Sequence, residues 1–313
     1  MNHLLARFGT PLAGLALFLV FALASDNFFT LANQLTILRQ VSFLLILAVG
    51  FTFALIAAEL DLSFGSVASL AGVVTGGLVH FGYPIVPAIL AGLVTATAFG
   101  LVNGLLVTVA KIPSLIATLA TGSIATGLAF AATNGVAWVG RWDPSFVWLG
   151  RGRLLGLPVL IVWSLLTVAL AWFVVGQTRF GVWLTATGEA DEAARLAGVA
   201  VRRMKVWALT LSGLCAGVAA VLLTAALSSA APTSADDFLM SGIAAVLLGM
   251  TMFTPGKANV PGTAVGALMI TVLSNGLVLL GAPYFVQDIA LGVIILLSVA
   301  LSASTLKKAA FGL

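Results

Sequence analysis

The stretch VSFLLILAVGFTFALIAA, Val41 to Ala58, has no charged residue and no proline across its 18 positions. As a helix it rises about 27 Å at ~1.5 Å per residue, close to the roughly 30 Å hydrocarbon core of a bilayer. Hydrocarbon offers no partner to a backbone N–H or C=O, so a segment crossing it must pair those groups internally or close into a barrel. The alternation of lipid-facing and lumen-facing residues that marks barrel strands is missing here. The stretch therefore reads as a transmembrane helix.

The rest of the chain agrees with this reading. Hydrophobic residues make up 61% of the 313 and charged residues only 8%, against about a quarter in a soluble domain. The fold class is all-α, a polytopic membrane protein. The formal charge of +4 does not indicate nucleic acid, because Lys and Arg in such a chain report orientation. The single cysteine, Cys215, lies in an apolar run, which excludes an internal disulfide and a multi-cysteine zinc site. No catalytic set emerges: the two histidines, His3 and His80, stand far apart in sequence, and no Ser/His/Asp arrangement or carboxylate pair has a supporting motif. At the start, His3 and Arg7 precede an apolar run ending in ALAS, Ala22 to Ser25, similar to a signal-peptide cleavage site. The run is long enough to cross, so a retained first span is expected.

Breaks at charges, prolines and glycines place about ten spans near 10–25, 41–58, 62–79, 84–110, 113–132, 157–176, 206–227, 238–253, 260–280 and 285–303. They form one transmembrane unit over 1–313, with a loop at 177–205. The segment AELDLSFGS, Ala58 to Ser66, reads either as a short turn or as a broken helix inside the membrane. Ten spans put both termini on one side. Arg7, Lys111, Arg179, Arg195, Arg202, Arg203, Lys205, Lys257, Lys307 and Lys308 then share that side, and Arg39, Arg141, Arg151 and Arg153 the other. The positive-inside rule makes the first side cytoplasmic.

NGLLV at Asn103 to Val107, in the fourth span, is echoed by NGLVL at Asn275 to Leu279 in the ninth. An odd separation reverses direction through the membrane, so a duplicated five-span unit predicts inverted-topology repeats. Gly100, Gly104, Gly262 and Gly266 are expected where helix backbones approach closely.

The longest inside loop carries GEADEAARLAGVAVRRMK, Gly188 to Lys205, which holds seven of the chain's 24 charged residues. It reads as a short helix, with Asp191 and Glu192 four and three residues before Arg195. Ala190, Ala193, Ala194 and Ala197 recur at i, i+3, i+4 and i+7, and Gly198 is the expected stop. A bare alanine stripe between charges suits insertion into another protein's groove. The competing reading is a solvated loop whose Arg202, Arg203 and Lys205 anchor the seventh span.

Charges inside or beside spans are few: Glu59 and Asp61 at the junction of spans two and three, and Asp288 near the start of span ten. Asp61 reads as a cap for span three; Glu59 and Asp61 also keep open an ion-coupled secondary transporter. Asn103, Thr118, Thr121, Ser123, Thr126, Ser274 and Asn275 supply uncharged polarity that either joins helices or lines a passage for a hydroxylated solute. Trp138, Trp142 and Trp148, with Arg141, Arg151 and Arg153, occupy an outer segment that reads as a membrane-interface belt or a docking surface. TPGKAN at Thr254 to Asn259 fails as a phosphate loop, because Thr251 stands where the pattern needs Gly and Ala258 where it needs Ser or Thr. If ATP drives this chain, the ATPase is a separate polypeptide.

EAARLAG, Glu192 to Gly198, resembles the E-A-A-x-x-x-G motif of ABC importer permeases. LDLSFGSVASLAG (Leu60 to Gly72), NGLLVTVAKIPSLIATLATGSIATGLA (Asn103 to Ala129) and TRFGVWLTATGEADEAARLAGVAVRRMK (Thr178 to Lys205) resemble, in order, the ribose-type branch of that family. Two elements depart from the family pattern: AAELDLS where a glycine pair is usual, and GMTMFTPGKANVPGT in place of a glycine-rich turn, with Met250, Pro255 and Ala258 among the differences.

The resemblance implies a fold similar to the type II importer permeases, with inverted repeats. It implies a cytoplasmic ABC ATPase that uses ATP, a periplasmic solute-binding protein and a second permease subunit, identical or paralogous, in a bacterial inner membrane. No cofactor is expected on this chain. The coupling contact is expected at Glu189, Ala190, Glu192, Ala193, Ala194, Ala197 and Gly198, and the passage for a neutral sugar or polyol at Asp61, Asn103, Thr118, Thr121 and Asn275.

Overall fold

A computed structural model describes the backbone of residues 2–311 and the side chains of residues 10–299. The side chains of His3, Arg7, Lys307 and Lys308 lie outside the described residues. The chain is helical almost throughout. The helices are α1 (Asn2–Ala24), α2 (Leu31–Ile56), α3 (Phe64–His80), α4 (Ile85–Thr108), α5 (Ser114–Thr133), α6 (Pro144–Arg151) and α7 (Val159–Gln177). They continue as α8 (Arg179–Glu189), α9 (Asp191–Leu196), α10 (Val201–Leu227), α11 (Phe238–Gly249), α12 (Val260–Leu279) and α13 (Tyr284–Phe311). Two residue-pair ladders complete it: β1 (Trp138–Val139) pairs antiparallel with β4 (Ser229–Ala230), and β2 (Arg153–Leu154) with β3 (Leu157–Pro158).

By length and composition, α2, α4, α5, α7, α10 and α12 suffice to cross a membrane; shorter apolar helices cover Thr10–Ala24, Phe64–His80, Phe238–Gly249 and Tyr284–Val299. The ends follow local chemistry. Pro84, Pro113 and Pro158 stand immediately before α4, α5 and α7, positions where a missing N–H costs nothing. The Asn259 side chain caps α12 through Gly262 N at 2.7 Å. α2 starts at Leu31, well before the expected Val41, because Thr30 caps it through Asn33 N; Arg39 and Gln40 thus become helical. α11 stops at Gly249, short of the expected 253, where Phe253 and Gly256 take positive φ around Pro255.

Burial decides which helices are central. Within their spanning windows α2 is 83% and α10 72% buried by the chain itself, against 22% for α4 and α7. Gly50 of α2 rests on Ser212 and Cys215 of α10. A methyl group on Gly100 or Gly104 would strike α10 at Leu209 or Val206; one on Gly262 or Gly266 would strike α11 at Gly249 or Ala245. These four glycines therefore sit at close helix contacts, as their spacing predicts. The outward faces stay apolar: Ile116 and Ile124 of α5 and Leu165 and Leu170 of α7 are exposed.

Two non-helical connections run into the bundle, each with part of its residues buried. After α2 the chain turns at Ala57 and Ala58, the latter at φ +57°, and residues 59–62 run extended to α3, with Ala57, Glu59, Asp61 and Ser63 buried at every second position. Residues 231–237 precede α11 and lie along α3: Ala230 abuts Gly76, the Ala235 carbonyl faces Gly65, and Ser69 Oγ accepts from Ala235 N and donates to Asp236. Gly65 lies about 16 Å along α3 from Gly76, so α11 begins well inside the bundle.

Residues 134–156 contain structure that their composition did not suggest. Asp143 caps α6 through Ser145 N at 2.8 Å, Pro144 opens the helix, and Gly150 packs on Ala226. Trp142 is buried, Trp138 stacks on His80 with centroids 6.2 Å apart, and Trp148 is exposed.

Candidate functional site

The segment expected as a single helix from Gly188 to Gly198 is two helices meeting at Ala190, whose extended φ of −156° turns the corner. Thr178 caps α8 through Gly181 N. Asp191 and Glu192 stand in the first turn of α9 and Arg195 in its last, each favourable to the helix dipole. Arg195 lies 3.6 Å from Glu192 in an exposed pair. Gly198, at φ +85°, ends α9 as expected. Its N–H bonds Arg195 O, and Val199 N bonds Ala194 O at 2.9 Å, a Schellman termination.

The alanines divide. Ala194 is buried within this chain, whereas Ala190, Ala193 and Ala197 are exposed beside Leu196. Glu189 and Glu192 are exposed as well.

The segment is fastened at three points. Gly188 lies against the Ile56 carbonyl at the end of α2, where no Cβ fits. Glu189 pairs with Lys257, in the turn between α11 and α12. Lys205, just beyond α9, lies 2.7 Å from Glu59 in the segment 57–63. Movement of α8 and α9 must therefore be felt at the ends of α2, α10 and α12. Sequence reading left Lys205 and Lys257 as topology anchors; their partners are distant in sequence, and no local spacing signals them.

Four of the five passage candidates come together. Thr121 Oγ1 donates to Asn103 Oδ1 at 2.6 Å, Asn103 Nδ2 donates to Ser63 Oγ at 2.9 Å, and Ser63 Oγ donates to Asp61 Oδ1 at 2.6 Å. Ser63 N also donates to Asp61, as a local turn would predict. Thr118 Oγ1 accepts from Leu62 N at 3.0 Å, and Ser114 Oγ accepts from Leu60 N at 3.1 Å. These groups face one another and fasten the extended segment to α4 and α5. Ser63 and Ser114 were not singled out from sequence, although Asp61-x-Ser63 carried a signal.

Asn275 lies apart, exchanging two 3.0 Å amide hydrogen bonds with Asn33. It borders a cavity of about 480 Å³ between α2, α11, α12 and α13. Thr271, Ser274, Asn275 and Val278 border it at i, i+3, i+4 and i+7 on one face of α12.

Comparison with known proteins places this geometry in a family. Residues 33–299 match the family model described as branched-chain amino acid transport system / permease component. The ribose import permease protein RbsC of Escherichia coli (strain K12) is 37% identical over 292 residues, covering 92% of this chain and 91% of that one. RbsC of Bacillus subtilis (strain 168) is 35% identical, covering 93% and 91%. The L-arabinose ABC transporter permease protein AraH of Azospirillum brasilense is 34% identical, covering 95% and 87%. A solved ABC transporter chain in an inward-facing conformation shares the fold at a TM-score of 0.50 and 13% identity over the whole of both chains. With its long apolar helices and these relatives, the chain belongs to the family of ribose-type ABC transporter permease components.

Proposed function

We propose that this protein is the transmembrane permease subunit of an ATP-driven importer for a neutral hydroxylated solute, a sugar or polyol, in a bacterial inner membrane. The relatives named for ribose and L-arabinose favour a pentose. The observation that carries the reading is the joining of this ancestry to the α8–α9 segment, exposed on one side and fastened to α2, α10 and the turn before α12 on the other.

Ten spans, with both termini cytoplasmic, are supported by what meets at each end. The end of α2, the starts of α3, α5 and α10 and the end of α4 gather around Glu59, Ser63, Asn103 and Lys205. The opposite end joins α3, α6 and α10 through Trp138, Ala230 and Ala226. Inverted repeats of the type II kind are supported by matched packing: α3 contacts α4 and α5 as α11 contacts α12 and α13, and α10 packs on α3 and α4 as α2 packs on α11 and α12.

In this reading a cytoplasmic ATPase engages Ala190, Ala193, Ala197 and the charges around them, and ATP is used there. The importer includes a periplasmic solute-binding protein, which meets the α6 side, and a second permease subunit, which shares the outer apolar faces with lipid. Differential contact with two ATPase states shifts the permease, since equal contact would shift nothing. The Asp61–Ser63–Asn103–Thr121 cluster is then the closed part of the passage and the Asn275 side its open part. The pairing of Glu59 with Lys205 and of Asp61 with Ser63 favours a structural role for both carboxylates over ion coupling.

Reconstitution with the ATPase and binding protein tests the function. Uptake of D-ribose or L-arabinose that requires ATP on the coupling side supports it; uptake driven by an ion gradient without ATPase overturns it. Thiol labelling of Glu192→Cys from the cytoplasm and Arg141→Cys from outside, in a Cys215→Ala background, tests the orientation.

A further inference from the structure

The cavity beside Asn275 differs in kind from the closed cluster around Asn103. Both lie where a span starts late after a non-helical stretch: Ser63, buried, is the residue before α3, and Asp237, exposed, the residue before α11. In the first half the groups around that start bond one another. In the second half they stand around open space. Among the described residues, Gln40 of α2, Asp237, Ser274 of α12 and Gln287 of α13 border the cavity and spend no side-chain hydrogen bond on the protein.

The lining chemistry is selective. Two amides and a hydroxyl both donate and accept, and one carboxylate accepts, which suits a solute whose polar groups are hydroxyls and a ring oxygen. Phe43 and Phe238, with centroids 6.4 Å apart, form an apolar wall suited to C–H faces. A bare metal ion is poorly served: no cluster of three metal-ligating side chains occurs among the described residues. The volume of about 480 Å³ falls within the ~300–1,000 Å³ usual for small-molecule sites. The bordering residues come from the first half of α2, the starts of α11 and α13, the second half of α12 and, with Leu223, the end of α10, so the cavity lies in the half opposite α8 and α9.

We propose that this cavity is a binding subsite for a single neutral pentose, held by Gln40, Asp237, Ser274 and Gln287, on the entry side of the permease. The proposal rests on the importer reading for its direction, but not for the occupancy of the cavity.

Thiol protection tests it on the full-length chain in lipid nanodiscs, with Cys215→Ala as background. Ser241→Cys and Val278→Cys, which border the cavity without being assigned to hold the sugar, are labelled with a small methanethiosulfonate reagent while D-ribose or L-arabinose is titrated. Ser123→Cys, on the exposed face of α5, is the control. At a sugar concentration about ten times its Kd, occupancy slows labelling roughly tenfold. Saturable slowing at both cavity positions by either pentose, with the control unchanged, supports the subsite. Labelling that neither pentose alters overturns it, whether or not the assembled transporter imports them. ATP-dependent pentose import without protection sinks the subsite alone; protection without such import sinks the importer reading alone. Asp237→Asn is expected to weaken protection about tenfold, and an unchanged titration would remove Asp237 from the site.

Discussion

Lys205 Nζ lies 2.7 Å from Glu59 Oε1, joining the first turns of α10 to the extended segment between α2 and α3. Both side chains are largely enclosed, at 22% and 8% exposure. Removing one partner strands the other charge, at a cost of about 3 kcal/mol, whereas replacing both costs less. Lys205→Met should therefore lower the apparent Tm of the detergent-solubilised protein, and the double variant with Glu59→Gln should recover much of the loss. A double variant no better than the single one would show that the pair is not a coupled unit.

Gly188 should resist even alanine. The obstacle to a Cβ is the Ile56 carbonyl, a backbone atom that no rotamer change can move aside. Gly188→Ala is expected to displace α8 and uncouple ATPase stimulation from transport. Gly198→Ala, which meets no neighbour but keeps φ at +85°, should cost only about 1 kcal/mol. Equal behaviour of the two variants in ATPase stimulation assays would contradict the packing role of Gly188.

The two faces of α9 make opposite predictions. Ala194 is 5% exposed, so Ala194→Trp overpacks this chain, by about 1–3 kcal/mol, and should reduce the yield of folded permease. Ala193→Trp projects outward and should leave folding intact while abolishing co-purification with the ATPase. Retention of the ATPase by a well-folded Ala193→Trp protein would move the docking face elsewhere.

Asn103 holds two helices to one segment. Asn103→Ala leaves the Thr121 hydroxyl only the Thr118 carbonyl at 3.2 Å and leaves Ser63 Oγ only its bond to Asp61, a loss of about 1 kcal/mol for each hydrogen bond removed. Thermal inactivation in detergent should shift down by several degrees. A variant as stable as the parent would indicate that water replaces the amide.

The positions of the long helices were legible because uncharged apolar runs and flanking prolines act locally: Pro84, Pro113 and Pro158 each stand directly before a helix. A turn between α2 and α3 was one of two readings left open, and the extended course of residues 59–62 that follows it was not legible. Its inward alternation is stabilised by Thr118 and Ser114, more than fifty residues away. Gly198 declared itself as a stop, but the corner at Ala190 did not, since alanine favours continuing a helix. The polar stripe of Thr271, Ser274, Asn275 and Val278 was visible as a period. That it borders a space, whereas Asn103 is fully buried against Ser63 and Thr121, is set by contacts far apart in the chain.

The shortness of α11 bears on how the protein is made. Its twelve residues extend about 18 Å, too little to bridge a ~30 Å core unaided, and the chain leading into it finds partners on Ser69 of α3. Leaving the translocon for lipid would therefore strand its backbone, so this segment should settle only after α12 emerges to cover it. Glycosylation mapping of nascent chains cut after Gly249 or after Leu279 checks that order: the shorter chain should leave α11 uninserted, and its full insertion would show that the half-length helix needs no later companion.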